Sequence, residues 1–533
     1  MNKIAVYLNE HLQGEVTSSK AMRRHYSRDG SVLSITPEII VFPRVTNDIR
    51  KVARFSWQLA EKGHAIDLTV RGSGSDTTGG AIGKGVLLST ATYLNVILAI
   101  VPKSRLVHLQ PGVTFEVLNE ALKWQGLAIP NAPERGRYIT VGGAIASNIL
   151  GEDGEVSRAV EKLEVVLANG DLIETARISK GELSKKLGLQ TFEGEIYRKL
   201  EGLLEDNEAL VKRLAGNRTP DNSGYKSVSM VKAKDGSFDL TPLFVGSQGT
   251  LGVISEIVLR AEYHNSNRTM IAAVVKDAAM ARDISDKLLA FNPSALRTID
   301  GELFRRSAKL GANAELLGPV ESIGVVVYIE LNEFNAHVRL KKLKKIKKLM
   351  DKLQVGMVDS TDHHAGEFDA VKSIGDSLRR SSNDDDVALP IIDGAYVPAE
   401  RREAFLTELD ELAAKYRIEL PLVSNILTGT YDVFPLLKLD VVGDKQKLFR
   451  LLTDYAALAA KCDGASVSDG AEGRLKANAV IATMEDDEVK LYDEIRAIFD
   501  PFSTMNPGVK QKSDVRALVS ALRNSFDTTD FAA

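Results

Sequence analysis

Apolar positions fall at two spacings along the chain, and the spacing switches repeatedly between them. Ile39-Ile-Val-Phe42 is a short apolar run closed by Pro43, which predicts a strand ending in a turn. From Asn47 to Lys62 the residues Ile49, Val52, Phe55 and Leu59 recur at helical spacing, with Thr46 or Asn47 as the expected cap and Gly63 as the stop. Ala65, Ile66, Leu68 and Val70 lead into a glycine-rich stretch, and Val86-Leu-Leu88 leaves it, which reads as strand, loop, strand. Leu106 to Val113 predicts a strand entering a turn, and Thr114 to Gln125 an amphipathic helix stopped by Gly126. Leu163 to Ile173 predicts a hairpin about Asn169-Gly170. Lys180 to Leu214 is charged and helical, and Leu243 to Leu259 again reads as strand, Gly turn, strand. Residues 1 to 30 are polar and predict a short helix and an arm. Strands and helices in this order make an α+β pattern.

Near His264 the pattern changes. Between residues 270 and 460, strands (Ile271–Val275, Ile323–Glu330) alternate with long helices (Ala278–Leu289, Ala399–Lys415, Lys445–Ala460), which predicts a separate α+β domain. Arg339 to Lys352 holds eight basic residues, with Leu340, Leu343, Ile346 and Leu349 between them as an expected stripe. That stripe suits either the domain's own sheet or an anionic membrane surface. Ser381 to Asp386 is a polar loop, and Phe499 to Gly508 a turn-rich closing element.

The stretch Val70-Arg-Gly-Ser-Gly-Ser-Asp-Thr-Thr-Gly-Gly80 carries the candidate chemistry. Four glycines and four Ser/Thr residues sit in eleven positions. Glycine permits positive φ and close approach of a ligand, and successive N–H groups in such a loop form an anion-binding concavity. The pattern is not that of a P-loop, which needs Gly-Lys-Ser/Thr opening a helix, nor that of a Rossmann turn. A phosphate cradle and a ligand-free Gly-rich hairpin both fit the loop taken alone. A second glycine-rich stretch, Pro130 to Asn148, contains Gly142-Gly143 followed by small residues that admit a flat ligand or another backbone. A third is Gly246-Ser-Gln-Gly-Thr-Leu-Gly252.

Composition narrows the class. With 533 residues, 44% hydrophobic and 26% charged, the chain is globular and too long for one core. A net charge of −4 provides no global field for nucleic acid. Cys462 is the only cysteine, which excludes an intrachain disulfide and a thiolate metal cluster and suits a reducing cytoplasm. The first ten residues hold too short an apolar run for a signal peptide, and the run near Tyr93 to Val101 is far below a membrane span.

Three ordered glycine elements together resemble the vanillyl-alcohol oxidase/p-cresol methylhydroxylase family of flavoproteins. Arg71-Gly-Ser-Gly-Ser-Asp-Thr-Thr-Gly-Gly80 resembles the family's pyrophosphate loop, and Thr140-Val-Gly-Gly-Ala-Ile-Ala-Ser-Asn148 its second flavin-contacting loop. Gly246-Ser-Gln-Gly-Thr-Leu-Gly-Val-Ile-Ser-Glu256 resembles the third. Tyr225 after Asn222-Ser-Gly224 resembles a Gly-Tyr pair found in the family, and Met505-Asn-Pro-Gly508 its terminal Asn-Pro-Gly. The likeness is greatest to the branch with D-lactate dehydrogenase, the glycolate oxidase D subunit and D-2-hydroxyglutarate dehydrogenase.

The resemblance implies an N-terminal arm (1–30), a two-part FAD-binding domain (31–264), a substrate cap with an antiparallel sheet (265–475), and a tail returning to the FAD domain (476–533). It implies FAD contacts from Arg71, Gly72, Ser73, Gly74, Ser75, Asp76 and Gly79. Pro130, Thr140, Gly142, Gly143, Ser147 and Asn148 follow from the second loop, and Gly249, Gly252, Val253, Ile254 and Asn506 from the later elements. Relatives that attach flavin through the first loop place a His where this chain has Ser75, so the implied FAD is non-covalent. The implied reaction takes a hydride from a small 2-hydroxy acid, first of all D-lactate, to flavin N5. Electrons then pass to a quinone, cytochrome or other acceptor.

The chain departs from that branch in its cap. The branch carries a metal-binding His-rich segment and a Glu-His-Gly, which correspond here to Asn425–Asp432 and Ser466–Arg474. No histidine follows His364, so an imidazole-held metal and an imidazole base are both missing there, and no metal is expected. The remaining catalytic candidates are Glu472, Arg474 and Tyr431, with Asp432 and Lys438 behind them. Glu472 is a candidate base and Arg474 a candidate carboxylate clamp, or the two pair across a turn. His363-His364 and Asp384–Asp386 read as solvated turns. Two rival readings stay open: a flavin oxidase of another alcohol, amine or sugar, and an FAD-binding subunit without catalysis.

Overall fold

The computed structural model describes residues 3–133, 138–151, 154–216, 225–311, 315–379, 388–392, 394–467 and 470–524. Asn222–Gly224 and Ser381–Asp386 lie outside the described residues. Chain contacts divide the protein into two units. The first comprises Met1–Gly151, Glu155–Glu262 and Val467–Arg523, and the second centres on Tyr263–Ser466. Residues before 31 thus pack within the first unit, and the chain re-enters it at Val467 rather than at 476.

The first unit holds two main sheets. In the four-stranded one, Ile39–Phe42, Val86–Ser89 and Leu68–Arg71 run parallel, and Glu15–Thr17 pairs antiparallel with Ile39–Phe42. Ile39–Phe42 and Val86–Ser89 are nearly continuous apolar runs because both faces are covered, whereas Leu68–Arg71 alternates apolar and polar residues. The second sheet is antiparallel, in the order Ile97–Val101, Leu106–Leu109, Val253–Arg260, Val160–Val166, Leu172–Thr175. The expected hairpin is present, with Gly170 at φ 83° closing its loop.

Two local expectations are corrected, and one open segment is resolved. The helix Thr46–Glu61 has no side-chain cap from Thr46 or Asn47. The buried Asp48 in its first turn instead accepts from the N–H groups of Gln13, Gly14 and Arg44 at 2.9 to 3.0 Å. Leu243 and Phe244 are not a strand but a helical turn, Thr241–Phe244, with Pro242 inside its start. Thr140 to Asn148 is a short helix, Val141–Ser147, capped by the Thr140 hydroxyl.

The second unit is a seven-stranded antiparallel sheet. Its order is Met357–Asp359, Thr269–Val275, Val325–Leu331, Ala295–Asp300, Leu422–Asn425, Thr430–Val433, Ala395–Tyr396. Successive residues serve opposite cores: Met270 and Ala272 on one face, Ile271 and Ala273 on the other. The helix Ala336–Leu353 covers the latter face with Leu343, Ile346 and Met350. The expected stripe is corrected, because Leu340 is exposed and Met350 takes part instead. A three-residue spacing falls short of a full turn by about 60° per step, so Leu340 drifts off the buried face. Among the described residues no helix is long and apolar enough to cross a membrane.

Candidate functional site

The loop after Leu68–Arg71 turns on Gly74 (φ 79°) and Gly79 (φ 76°) before Val86–Ser89 begins. Its first half and second half do different work. No described residue accepts a hydrogen bond from the backbone N–H of Gly72, Ser73, Gly74, Ser75 or Asp76. The Ser73 and Ser75 hydroxyls stand 3.2 Å apart over the same stretch. In the second half, Asp76 folds the loop onto itself, accepting from the N–H of Thr78 (3.1 Å) and Gly80 (2.6 Å) and from the Thr78 hydroxyl (2.9 Å). The open donors suit a pyrophosphate, and the Asp76 carboxylate is committed to shaping the loop that presents them.

Arg71 lies beneath this loop. Its guanidinium donates to the Arg28 carbonyl at 2.5 Å and stacks 5.2 Å from the Tyr26 ring, and a Cβ on Gly74 would overlap it. Gly30 N–H donates to the Gly74 carbonyl at 2.9 Å, so the N-terminal arm is part of the loop's support. Asp29 is buried beside them, accepting from the Ser31 N–H (3.0 Å) and hydroxyl (2.5 Å). Burial, and then the neighbouring Asp76 carboxylate, push its carboxyl up to about 6. A carboxyl raised on folding holds its proton more tightly in the native state. Its contribution to stability is therefore greatest below the unfolded value near 4 and is lost as pH rises through about 6. Asp29→Asn is expected to lose less stability than the wild type between about pH 4 and 6, by on the order of 2 kcal/mol. Denaturant unfolding at each pH measures this, and parallel curves would show that Asp29 does not titrate in that window.

The three glycine elements converge in the first unit. At Gly72 a side chain would overlap the Thr140 hydroxyl, so the first loop and the second element meet with no room for a Cβ. The third element docks on the end of the short helix: Gly246 N–H donates to the Ile145 carbonyl (2.9 Å) and Gln248 N–H to the Ala146 carbonyl (2.8 Å). Gln248, held at φ 51°, then reaches back, its Nε2 donating to the Thr78 hydroxyl at 3.2 Å and its Oε1 accepting from Gly473 N–H at 2.9 Å. Gly142 faces Pro111, whose Cβ would lie 2.5 Å from an added Cβ, so its small size serves internal packing. Asn148 ends the helix at φ 48°, and Gly249 turns the third loop at φ 73°. Gly252 sits at Val165, and Val253 and Ile254 open the strand Val253–Arg260. Pro130 and Ser147 are half-buried near the second element.

Asn506, fully buried at φ 46°, is the joint among these parts. Its Nδ2 donates to the carbonyls of Gly80 (2.9 Å) and Gln248 (2.7 Å), and its Oδ1 accepts from the Thr69 hydroxyl (3.2 Å) and Arg474 (2.8 Å). Arg474 also donates to the Gly79 carbonyl (2.7 Å) and the Pro507 carbonyl (2.9 Å). Burial lowers its guanidinium to about 10. The carboxylate clamp expected of Arg474 is thus corrected to a brace holding the first loop to the closing element. Arg496 supports that element from below through the Val509 and Met505 carbonyls.

Glu472 does not pair with Arg474. Its Oε2 meets Lys510 Nζ at 2.7 Å with both side chains buried, and Lys510 lies 5.7 Å from the Tyr225 ring. The Tyr225 hydroxyl meets the Thr250 hydroxyl at 2.5 Å, and burial pushes it up to about 12. In the second unit, Tyr431 is a core residue packed 5.2 Å from Phe405, with its hydroxyl also raised to about 12 by burial. His363 and His364 are exposed, and His364 N–H donates to Glu367 at the start of a helix. Gln248, Lys510, Arg496 and Asp29 were not singled out in the sequence. Gln248 lies inside a quoted motif, but its positive φ leaves no compositional trace.

The comparisons agree with this arrangement. Residues 37–176 match the FAD binding domain family, and residues 264–509 match the C-terminal domain of FAD linked oxidases. The chain is 24% identical to D-2-hydroxyglutarate dehydrogenase of Haemophilus influenzae, over 97% of this chain and 53% of that protein. It therefore spans about half the length of the D-2-hydroxyglutarate dehydrogenases it matches. It is 25% identical to glycolate oxidase subunit GlcD of Bacillus subtilis, over 95% of this chain and 96% of that protein. Among solved structures, substrate-bound p-cresol methylhydroxylase superposes with a TM-score of 0.70 at 14% identity, over 96% of both chains. On the cradle and these matches together, the chain carries an FAD binding domain and the C-terminal domain of FAD linked oxidases, with FAD as its cofactor.

Proposed function

We propose that the chain oxidises a small 2-hydroxy acid, D-lactate being the first candidate, and hands the electrons to a quinone, a cytochrome or another acceptor. The observation carrying the reading is the open row of N–H donors from Gly72 to Asp76, which fits the pyrophosphate of FAD. The substrate class is supported by relatives named for D-2-hydroxyglutarate, glycolate and D-lactate. When bound, FAD supplies the hydride acceptor. Gly72 to Asp76 hold the pyrophosphate, Arg474 and Asn506 hold the loop, and Glu472 beside Lys510 is the proposed acceptor of the substrate's hydroxyl proton. Ser75 stands where covalent attachment would need a His, so the flavin is proposed to be non-covalent, released intact by acid. The single cysteine supports a cytoplasmic setting.

No metal is part of the proposal. No histidine follows His364, and among the described residues no group of three or more His, Cys, Asp or Glu could hold an ion. A screen of 2-hydroxy acids for flavin reduction, run with and without EDTA, tests the reading. Reduction by D-lactate or a close analogue, unchanged by EDTA, is expected. Loss on chelation with recovery on a divalent ion would show a metal site.

The missing imidazole base favours a second reading, an FAD-binding subunit without catalysis. Flavin that no candidate reduces would support it. Reduction only by another alcohol, an amine or a sugar would move the chain to a different substrate class.

A further inference from the structure

The helix Ala336–Leu353 carries eight basic residues and one acidic residue, Asp351. Its buried face, Arg339, Leu343, Ile346 and Met350, is consumed by the second unit's core. Two lysines are consumed by carboxylates: Lys342 by Glu333, and Lys347 by Asp359 at 2.7 Å. The other five, Lys341, Lys344, Lys345, Lys348 and Lys352, are exposed, and none has an ion-pair partner among the described residues. At about 100° per residue these five fall within an arc of about 100°, centred opposite the buried face, and they span about 16 Å of the axis. The chain as a whole carries a charge of −4, so this face is a local concentration of positive charge. Apolar side chains border its N-terminal end: Val338 and Leu340, 40% and 52% exposed on either side of the arc, and Phe334, 65% exposed in the preceding turn.

We propose that this face docks on an anionic lipid bilayer. Five lysines without carboxylate partners complement a layer of phosphate headgroups, each raising the partition constant roughly five-fold near the surface. Phe334, Val338 and Leu340 supply the apolar residues that enter the headgroup boundary, as in helices lying in the membrane plane. A protein partner fits less well, because lysine is depleted from protein interfaces and no aromatic or arginine anchor stands within the arc. The docking is independent of the chemistry proposed for the first unit.

The test is co-sedimentation of the full FAD-loaded chain with phosphatidylcholine vesicles, with and without phosphatidylglycerol, at low salt and at about 0.5 M salt. Binding is expected only to the phosphatidylglycerol vesicles and only at low salt. Lys344→Glu with Lys348→Glu should lower the partition constant by roughly 100-fold or more, with thermal midpoint and flavin content unchanged. Phe334→Ser with Leu340→Ser should weaken binding without altering its salt dependence. Absence of binding at low salt, or wild-type binding by the double lysine variant, overturns the proposal. So does retention on a polyglutamate resin without vesicle binding, which would point to an acidic protein partner.

Discussion

Gly74→Val is expected to purify as a folded protein that retains almost no FAD. Two separate effects meet at this position. Gly74 sits at φ 79°, where a β-branched residue is strained by about 1–3 kcal/mol. A Cβ there would also overlap the Arg71 guanidinium packed beneath the loop. Arg71 is pinned by the Arg28 carbonyl, so the loop yields rather than the arginine. The yielding segment is the row of N–H groups from Gly72 to Asp76 proposed to face the pyrophosphate. A fall in FAD affinity of at least roughly 100-fold follows, since about 3 kcal/mol is lost from the bound state alone. The second unit shares none of these contacts and should keep its unfolding transition. Flavin absorbance per protein, measured after gel filtration, decides the matter. A wild-type ratio would show that this loop does not set cofactor retention.

Lys510→Met is expected to destabilise the first unit by about 3–5 kcal/mol, because it removes the ammonium that meets the buried Glu472 carboxylate at 2.7 Å. Glu472→Leu combined with Lys510→Met should recover most of that loss, since an apolar pair of similar volume avoids the desolvation of both charges. The double variant therefore separates structure from chemistry. If Glu472 accepts the substrate's proton, the double variant folds and binds FAD, yet its flavin is reduced by substrate at least about 100-fold more slowly. Reduction within a few-fold of wild type would confine the pair to structure. Thermal unfolding and single-turnover reduction on the same preparations read both quantities.

The glycine elements were legible because their conformational demand is local. A glycine at positive φ announces itself by being glycine, and Gly74, Gly79 and Gly249 all occupy such positions. The central strands of the second unit were legible for another local reason, as short continuous apolar runs buried on both faces. The convergence of the loops was not legible. Thr69 and Asn506 share a hydrogen bond across 437 positions, and nothing near either residue names the other. Glu472 and Lys510 were missed as a pair for the same reason, as was the brace role of Arg474. The basic helix shows a subtler failure. Its leucines sit three apart, which suggests one stripe, but a helix of about 3.6 residues per turn rotates them out of line. The buried face therefore takes Met350 and gives up Leu340. The expected cap at Thr46 or Asn47 is not made: the helix starts after Val45 with no side-chain cap, and Asp48 serves backbone groups on Gln13, Gly14 and Arg44 that lie outside its own helix.

The most direct measurement of the proposed activity is anaerobic stopped-flow absorbance of the oxidised flavin after mixing with D-lactate, with other D-2-hydroxy acids and with their L enantiomers. Bleaching of the flavin band by at least one D-2-hydroxy acid is expected, at a rate that saturates with substrate, and none by the matching L enantiomer. Flavin that stays oxidised with every 2-hydroxy acid, while dithionite still bleaches it, would rule out 2-hydroxy-acid oxidation by this chain.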